Sequence, residues 1–315
     1  MMSKNFIGQK LNISHSFLVV LILSLVMSSC ARKTGMAGNT KDADALLWEI
    51  TGPGMPSPSY VYGTIHLIDA DDYFLPKGTL SAIENCKAMF FEIDVNEMTD
   101  MSAMMGLMDK IFMKDGKTLK ELLSKEDYKL VADYFSEMGL PIMLLERIKP
   151  LFLSAMTYGD FSPDAFQNGE MKSYELEFNE LAQDKGMETG GLETVEFQIG
   201  VFDKIPYEAQ AEMLVQSLKS ADTENDEMKI MTEMYKKQQI TKMATMALGE
   251  GEGNLQGYES LLLSDRNKSW IPQILEQSKK KPTFFAVGAG HLGGEMGVLN
   301  LLRKEGIKVK PLSNE

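Results

Sequence analysis

The sequence predicts an α/β fold of the α+β kind, in which helices flank a central mixed sheet. Strand-like segments lie near the N-terminal end, at 47–62, and a strand, a helix and a strand follow one another within 60–94. A similar strand-turn-helix-strand order returns at 283–309. Between these regions, residues 101–260 are rich in Met, Leu, Glu and Lys, which is typical of helices. We therefore expect a large, mainly helical insertion between two similar halves.

Residues 1–29 have the layout of a secretory signal peptide. Lys4 and Lys10 give a positive start, and an almost wholly apolar run follows at 17–27. This run is shorter than the roughly 20 residues that a transmembrane helix needs, which disfavours a permanent anchor. The end of the leader, Met27-Ser28-Ser29-Cys30, resembles a bacterial lipobox, so we expect Cys30 to carry lipid; the alternative is an ordinary cysteine near a cleavage site. The expected product is an exported lipoprotein, anchored to a membrane and facing the periplasm or lying in the outer membrane.

Length and composition indicate the size of the mature part and exclude some classes of partner. Residues 30–45 have little apolar periodicity and suit a flexible tether, whereas 46–315 is long enough for a single domain with a packed core. The formal net charge of −13 argues against nucleic acid as a partner, because phosphate binding requires clustered Lys and Arg. Cys86 has no nearby cysteine or histidine, so we expect a small buried apolar residue and not a nucleophile.

The first half of the predicted sheet begins with a hairpin. Residues 47–50 and 60–62 read as strands, with Gly and Pro between them. Residues 80–86 place apolar side chains at helical spacing, and the apolar run 88–94 is typical of a buried strand. Strand, helix and strand form a crossover unit, which predicts a parallel pair of strands with ligands near their carboxyl ends.

The later elements return to the sheet. Residues 174–183 predict a helix inside the insertion, and 187–194 predict a short strand that rejoins the sheet. Near the C-terminal end, 283–287 predicts a strand and 288–291 a turn, after which come a helix and a last strand at 307–309. This order of elements matches the order around the first predicted turn.

Two histidines occupy the fourth position of Gly-x-x-His, directly after a predicted strand. They are His66, which follows Gly63, and His291, which follows Gly288; the remaining histidine of the chain lies in the leader. Glycine in such a turn allows a close backbone approach or a positive φ, which we expect of Gly63, Gly288 and Gly290. Neutral imidazole is the commonest protein ligand of divalent metals. The two motifs therefore predict a shared metal site at one edge of the sheet.

A carboxylate must complete such a site, because two nitrogen ligands alone do not hold a metal. Glu92 lies at the matching end of a neighbouring predicted strand. Asp94 is the alternative ligand, since alternate residues of a strand face the same way. We prefer Glu92.

Several segments carry a resemblance to a known family. They are YVYGTIHLI at 60–68, FFEID at 90–94, GGLETVEFQ at 190–198, DRN at 265–267 and FFAVGAGHLGGEMGVLNLLRKEGIKV at 284–309. In this order they resemble the TraB/GumN family over nearly the whole mature chain. That family is related to the Tiki proteases and, in architecture, to erythromycin-esterase-like and haem-associated, ChaN-like proteins.

The resemblance implies a metal site and a reaction. The family's pattern of two Gly-x-x-His motifs and a glutamate falls on His66, His291 and Glu92. Tiki relatives act as metal-dependent peptidases, so the resemblance implies a divalent metal (Mn, Co or Zn) and a peptide or small-molecule substrate.

Three further residues are candidates for catalysis. Glu193 is the leading candidate for the base, because its loop is expected to approach the same edge; the alternative is a glutamate that caps the next helix. Arg266 and Asn267 are candidates to stabilise an oxyanion or to orient the carboxylates. For these two residues the alternative is a salt bridge at the start of a helix.

The sequence thus predicts a metal-dependent hydrolase of the cell envelope, in particular a peptidase. The competing hypothesis is an envelope lipoprotein that binds or scavenges a peptide or haem through the helical insertion, without turnover. A purely structural role makes no use of the paired histidines. The sequence makes no prediction of the oligomeric state.

Overall fold

The computed structural model describes residues 44–99, 106, 109–157, 168–219, 221–247, 257–258 and 260–312. The predicted leader, Cys30 and the predicted tether up to residue 43 lie outside these ranges. Ala45 and Leu46 are fully buried, and Ala45 O accepts a hydrogen bond from the indole of Trp48 at 2.8 Å. Within the described ranges, no helix combines the length and the apolar character needed to cross a membrane.

The sheets are built from short strands distributed over the whole described chain. They are β1 (Leu47–Thr51), β2 (Ser59–Thr64), β3 (Ile68–Asp69), β4 (Ala88–Ile93), β5 (Met171–Lys172), β6 (Glu188–Glu193), β7 (Thr283–Gly288) and β8 (Lys308–Pro311). The main sheet has the spatial order β6, β4, β7, β2, β1, β8, and β3 pairs separately with β5. The first four strands of this order are parallel, whereas β1 runs antiparallel to β2 and β8. The predicted mixed sheet is confirmed.

Helices flank this sheet and fill most of the stretch between β4 and β7. They are α1 (Thr79–Glu84), α2 (Val95–Thr99), α3 (Leu119–Leu122), α4 (Lys125–Glu137), α5 (Ile142–Leu145), α6 (Pro150–Ala155), α7 (Tyr174–Asp184), α8 (Val195–Phe202), α9 (Tyr207–Lys219), α10 (Ala221–Lys236), α11 (Ile240–Ala247), α12 (Asp265–Lys280) and α13 (Val298–Lys304). A π-helical turn, Ser260–Ser264, leads directly into α12.

The hairpin of β1 and β2 is present, with Leu47 opposite Tyr62, but the predicted pairing of β2 with β4 is wrong. The two strands are parallel, as expected, yet β7 lies between them and pairs with both. Thr64 of β2 lies beside Gly288, and Phe91 of β4 lies beside Ala286. A local apolar pattern indicates that a strand is buried, but it does not identify the neighbour when that neighbour is distant in the chain.

The central strands are buried on both faces, as their continuous apolar sequences predict. Every residue of β2, β4 and β7 is buried. Such strands need helices on both sides, which the flanking layers provide. Cys86, which precedes β4, is a free and buried thiol, and burial raises its pKa to about 12. Its predicted role as a small buried apolar residue is confirmed.

The mainly helical stretch also contributes strands and cores of its own. β6 joins the main sheet beside β4, which confirms the predicted return of residues 187–194. Two further apolar clusters lie among the helices, one around Phe152 and Phe202 and the other around Leu119. The buried ammonium of Lys149 is paired with the carboxylate of Asp203.

Gly63, the glycine of the first motif, allows two segments to pack closely. A Cβ atom at this position would lie 2.7 Å from Leu292 Cδ1 and 3.0 Å from Ala289 Cα. None of Gly63, Gly288 and Gly290 has a positive φ; of the two expected reasons for glycine, a close backbone approach is the one found at Gly63. The reason for glycine at position 63 is therefore steric.

The substitution Gly63→Ala is expected to lower the free energy of unfolding by about 1–3 kcal/mol, because the added methyl overfills a packed contact. Urea unfolding measures this loss. Gly200→Ala is the control: Gly200 lies in α8, and a Cβ atom there has no neighbour within 4 Å. Alanine is expected to be neutral or to stabilise this helix by up to about 1 kcal/mol. Equal effects of the two substitutions would contradict the steric explanation.

Candidate functional site

The two Gly-x-x-His motifs meet at one edge of the main sheet. β2 and β7 are adjacent and parallel, and each leads into the turn that bears its histidine, His66 or His291. Glu92 lies one residue before the end of β4, on the other side of β7. The three predicted ligands therefore come from three parallel strands whose carboxyl ends share one edge.

Gly288 marks the point around which these side chains gather. A Cβ atom at this position would lie 3.2 Å from Glu92 Oε1, 3.5 Å from His291 Cδ2 and 3.6 Å from His66 Nε2. The φ of Gly288 is −53°, which any residue tolerates, so glycine is needed here for space. We call the space bordered by these three side chains the Gly288 cradle.

Glu92 is a buried and ionised carboxylate. Its Oε1 accepts a hydrogen bond from the backbone N–H of Gly288 at 2.8 Å, and its Oε2 accepts one from Arg266 Nη2 at 2.6 Å. Burial alone would raise the pKa of Glu92, but the Arg266 guanidinium, the two imidazoles and the Gly288 N–H together lower it to about 2. Glu92 therefore remains charged at neutral pH.

Arg266, in the first turn of α12, connects two acidic side chains. Its Nη2 lies 2.6 Å from Glu92 Oε2 and 2.6 Å from Glu193 Oε1, and its Nε donates to both oxygens of Glu193 at 3.0 and 3.2 Å. Its Nη1 donates to Leu262 O, in the π-helical turn, and lies 3.3 Å from His291 Nε2. The predicted salt bridge is thus buried inside the site, where the guanidinium orients both carboxylates.

Glu193 lies at the end of β6 and is held by its neighbours. Besides the bonds from Arg266, its Oε2 accepts a hydrogen bond from the indole N–H of Trp270 at 2.9 Å. Burial raises the pKa of Glu193 above its ordinary value, although Arg266 and Trp270 partly offset this effect. The alternative role, capping of the next helix, belongs to Thr194, whose hydroxyl accepts from Phe197 N at 3.1 Å.

Asn267 holds the imidazole of His291. Asn267 Nδ2 donates to the carbonyls of Met296 and His291, so its Oδ1 faces His291 Nδ1, at 2.6 Å. This arrangement assigns the ring proton to Nδ1 and leaves the lone pair on Nε2, which faces Arg266 and lies 3.7 Å from Glu92 Oε1. Burial lowers the pKa of His291 to about 3, so the ring is neutral at pH 7.

His66 is held by a residue that sequence reasoning missed, Glu175. Its Nδ1 lies 3.0 Å from Glu175 Oε1, so Nε2 is the ring nitrogen that borders the Gly288 cradle. Burial alone would lower the pKa of His66, but the Glu175 carboxylate outweighs it and the pKa is raised. Glu175 lies in the helix predicted at 174–183, and nothing in the sequence distinguishes it from the other acids of that helix. Trp270 was also missed, although it follows Arg266 at helical spacing.

Two of the weighed candidates do not face the cradle. Asp94, the alternative ligand, accepts hydrogen bonds from the backbone and side chain of Asn96 at 2.9 and 3.0 Å. Gly290 lies in the turn that leads to His291 and contributes backbone only. The carboxylate brought next to both imidazoles is therefore that of Glu92.

Three side chains that can act as metal ligands meet at this edge of the sheet. Two imidazoles whose Nδ1 atoms are engaged elsewhere, and one ionised carboxylate, border the Gly288 cradle. Among the residues that the structure describes, no three His, Cys, Asp or Glu side chains lie at the mutual distances of a complete metal-ligand group. The cation that contacts Glu92 and His291 is the guanidinium of Arg266.

Arg266→Met is expected to lower the free energy of unfolding by about 3–5 kcal/mol, because it leaves Glu92 and Glu193 buried without a counter-charge. Urea unfolding at pH 7 in the presence of a chelator measures this loss. Lys281→Met, which breaks the exposed pair with Glu188, is the control and is expected to cost no more than about 1 kcal/mol. Similar losses from both substitutions would contradict the proposed importance of the buried pair.

Comparison with known proteins gives distant relatives of one kind. Metalloprotease TIKI2 of Danio rerio is 24% identical over 321 residues, which cover 86% of this chain and 61% of the relative. Metalloprotease TIKI1 of Danio rerio is 23% identical, with 88% of this chain and 65% of the relative covered. For metalloprotease TIKI1 of Homo sapiens, the identity is 21% and the coverage is 94% and 69%. No solved structure is significantly similar to this chain.

The matches to whole relatives and the match to the family profile differ in how much of each protein they cover. The chain spans less than two thirds of the length of the two Danio rerio proteins, 61% and 65%. The sequence profile of the TraB/PrgY/gumN family, in contrast, matches residues 46–311, which include every residue of the site described above. The chain therefore belongs to the TraB/PrgY/gumN family.

Proposed function

We propose that this protein is a metal-dependent hydrolase of the cell envelope and that its substrates are peptides. One observation carries the proposal: His66 and His291 each have Nδ1 engaged by a side chain outside the Gly288 cradle. Nε2 of His66 therefore borders the cradle, and Nε2 of His291 lies 3.7 Å from Glu92 Oε1 and 3.3 Å from Arg266 Nη1. Histidines that hold a metal in proteins are oriented in this way, by a hydrogen bond from the other ring nitrogen.

The ligand atoms and the acidic side chains around the Gly288 cradle both suit a divalent cation. Two imidazole nitrogens and one carboxylate are a common ligand set of catalytic metal sites. The side chains around the cradle include three carboxylates, those of Glu92, Glu193 and Glu175, and one guanidinium, that of Arg266. The acidic side chains therefore outnumber the guanidinium, and this excess favours a bound cation. Mn, Co and Zn are the metals that we propose.

The two carboxylates bonded to Arg266 are suited to different tasks. A bound metal would polarise a carbonyl and lower the pKa of water toward neutrality. Glu92, with its pKa lowered to about 2, remains ionised and serves as the ligand. Glu193 has a pKa raised by burial, and a raised pKa favours a residue that accepts and returns a proton. Arg266 contacts both carboxylates and His291, Asn267 bonds His291, and Arg266 is the positive charge of the site that would stabilise an oxyanion.

The proposed substrate class and the proposed location in the cell envelope rest on observations outside the site. The distant relatives named above are metalloproteases, which favours peptides over other substrates. The signal-like leader and the lipobox-like Cys30 favour export and attachment to a membrane through lipid.

His66→Ala, His291→Ala and Glu92→Gln are each expected to abolish stoichiometric binding of Mn, Co or Zn and cleavage of a peptide library, because each removes one ligand. Elemental analysis after gel filtration and mass spectrometry of the library measure the two losses. Asp94→Asn separates Glu92 from the alternative ligand and is expected to retain metal and cleavage. Wild-type protein that takes up no metal under any reconstitution would overturn the proposal.

Gly288→Ala is expected to abolish metal binding while changing the free energy of unfolding by no more than about 1 kcal/mol. The added methyl would occupy the cradle at 3.2–3.6 Å from Glu92, His291 and His66, and the backbone at this position accepts alanine without strain. Isothermal titration with Co²⁺ and urea unfolding give the two measurements. A variant that binds Co²⁺ as tightly as wild type would show that the cradle is not the metal site.

A further inference from the structure

The carboxylate of Glu175 is fully engaged at the base of His66. Its Oε1 accepts from Thr64 Oγ1 at 2.7 Å and from His66 Nδ1 at 3.0 Å, and its Oε2 accepts from Ser173 Oγ at 3.2 Å. The side chains of His66 and Glu175 are each only 15% exposed. Because these hydrogen bonds and the low exposure hold the Glu175 carboxylate in one orientation, the carboxylate also fixes the orientation of the His66 imidazole.

The backbone around Glu175 is tied to the backbone that follows His66. β3 begins two residues after His66 and pairs antiparallel with β5, which ends two residues before Tyr174 and the start of α7. Ala70 N also donates to Glu170 O at 2.8 Å. This small sheet joins the helical stretch to the motif, so Glu175 is placed by paired backbone and does not depend on a loose loop.

The two imidazoles of the site are held by unlike partners. His291 donates its Nδ1 proton to Asn267, a neutral amide, whereas His66 donates to Glu175, a carboxylate. An anionic partner makes an imidazole a stronger electron donor than a neutral partner does, in addition to orienting it. The two histidines are therefore equivalent in sequence motif but not in electrostatic environment.

We propose that Glu175 is a positioning residue of the metal site: it keeps the proton of His66 on Nδ1, turns Nε2 toward the Gly288 cradle and strengthens that nitrogen as an electron donor. This inference rests on the proposed function, since it concerns the same cation. It also gives the mainly helical stretch a part in the site, because α7 belongs to that stretch.

Two substitutions separate orientation from charge. In Glu175→Gln the amide oxygen still accepts from His66 Nδ1, so orientation is retained while the charge is lost. Glu175→Ala removes both. Loss of such an outer partner typically weakens metal binding about 10–100-fold, so we expect a loss in this range for Glu175→Ala and a smaller loss, about tenfold, for Glu175→Gln. Competition of the full chain, in detergent micelles, with a chromophoric chelator for Co²⁺ measures the affinity.

The matched control lies on the same helix. Glu177 pairs with Lys172, is 34% exposed and has no contact with either histidine. Glu177→Gln also removes one negative charge from α7, so it shows what a general change of charge does. We expect its Co²⁺ affinity to be within about twofold of wild type, as expected for a screened, partly exposed charge.

A second measurement needs no metal. The full chain has three histidines, His15, His66 and His291, so its imidazole ¹⁵N signals are assigned by one alanine variant each. At a pH where the rings are neutral, ¹⁵N shifts identify the protonated nitrogen. We expect His66 to carry its proton on Nδ1 in wild type and in Glu175→Gln, and to shift toward the Nε2–H form in Glu175→Ala, with His291 unchanged.

The outcomes distinguish this inference from the proposed function. Wild-type protein without Co²⁺ affinity overturns the metal site, and with it the inference. Normal affinity in wild type together with unchanged affinity and an unchanged His66 tautomer in Glu175→Ala overturns the inference alone. If Glu175→Ala does not fold, Glu175→Gln decides: affinity equal to that of wild type and of Glu177→Gln overturns the role of the charge.

Discussion

One buried guanidinium determines how the acidic side chains of this site coexist. Arg266 lies 2.6 Å from both Glu92 and Glu193, at a depth where two unpaired carboxylates would repel each other and take up protons. Because Arg266 also contacts His291, it joins β4, β6 and the turn after β7 through α12. The same cation leaves Glu92 strongly acidic and Glu193 less so, which gives two chemically similar residues different properties.

Much of the site at the edge of the main sheet could be predicted from the sequence, because its residues lie at the ends of strands. His66, Glu92 and His291 each lie at or just after a buried apolar run, and parallel strands bring such positions together. Arg266 and Asn267 were found as a short motif, and both contact other side chains of the site: Arg266 bonds Glu92 and Glu193, and Asn267 bonds His291. For the glycines of the two motifs, a close approach and a positive φ were both expected; the choice between them could not be predicted, since steric contact depends on atoms far away in the chain.

Glu175 and Trp270 could not be found in this way. Each lies on a helix, and which side of a helix reaches a site depends on how that helix packs, not on where it starts. His66 and Glu175 are 109 positions apart, and the β3–β5 pairing that brings them together involves only two residues on each strand. So short a ladder has no recognisable pattern in the sequence. The order of the strands was missed for a related reason, because β7 separates β2 from β4 although it comes from the far end of the described chain.

The position of β7 has a consequence for the timing of folding. Ser59, at the start of β2, accepts a hydrogen bond from Thr283 N, 224 positions later. Closing a loop of that length costs conformational entropy before any strand pairing compensates for it. During synthesis, β2 and β4 are therefore made long before β7, the strand that pairs with both of them and completes the centre of the sheet.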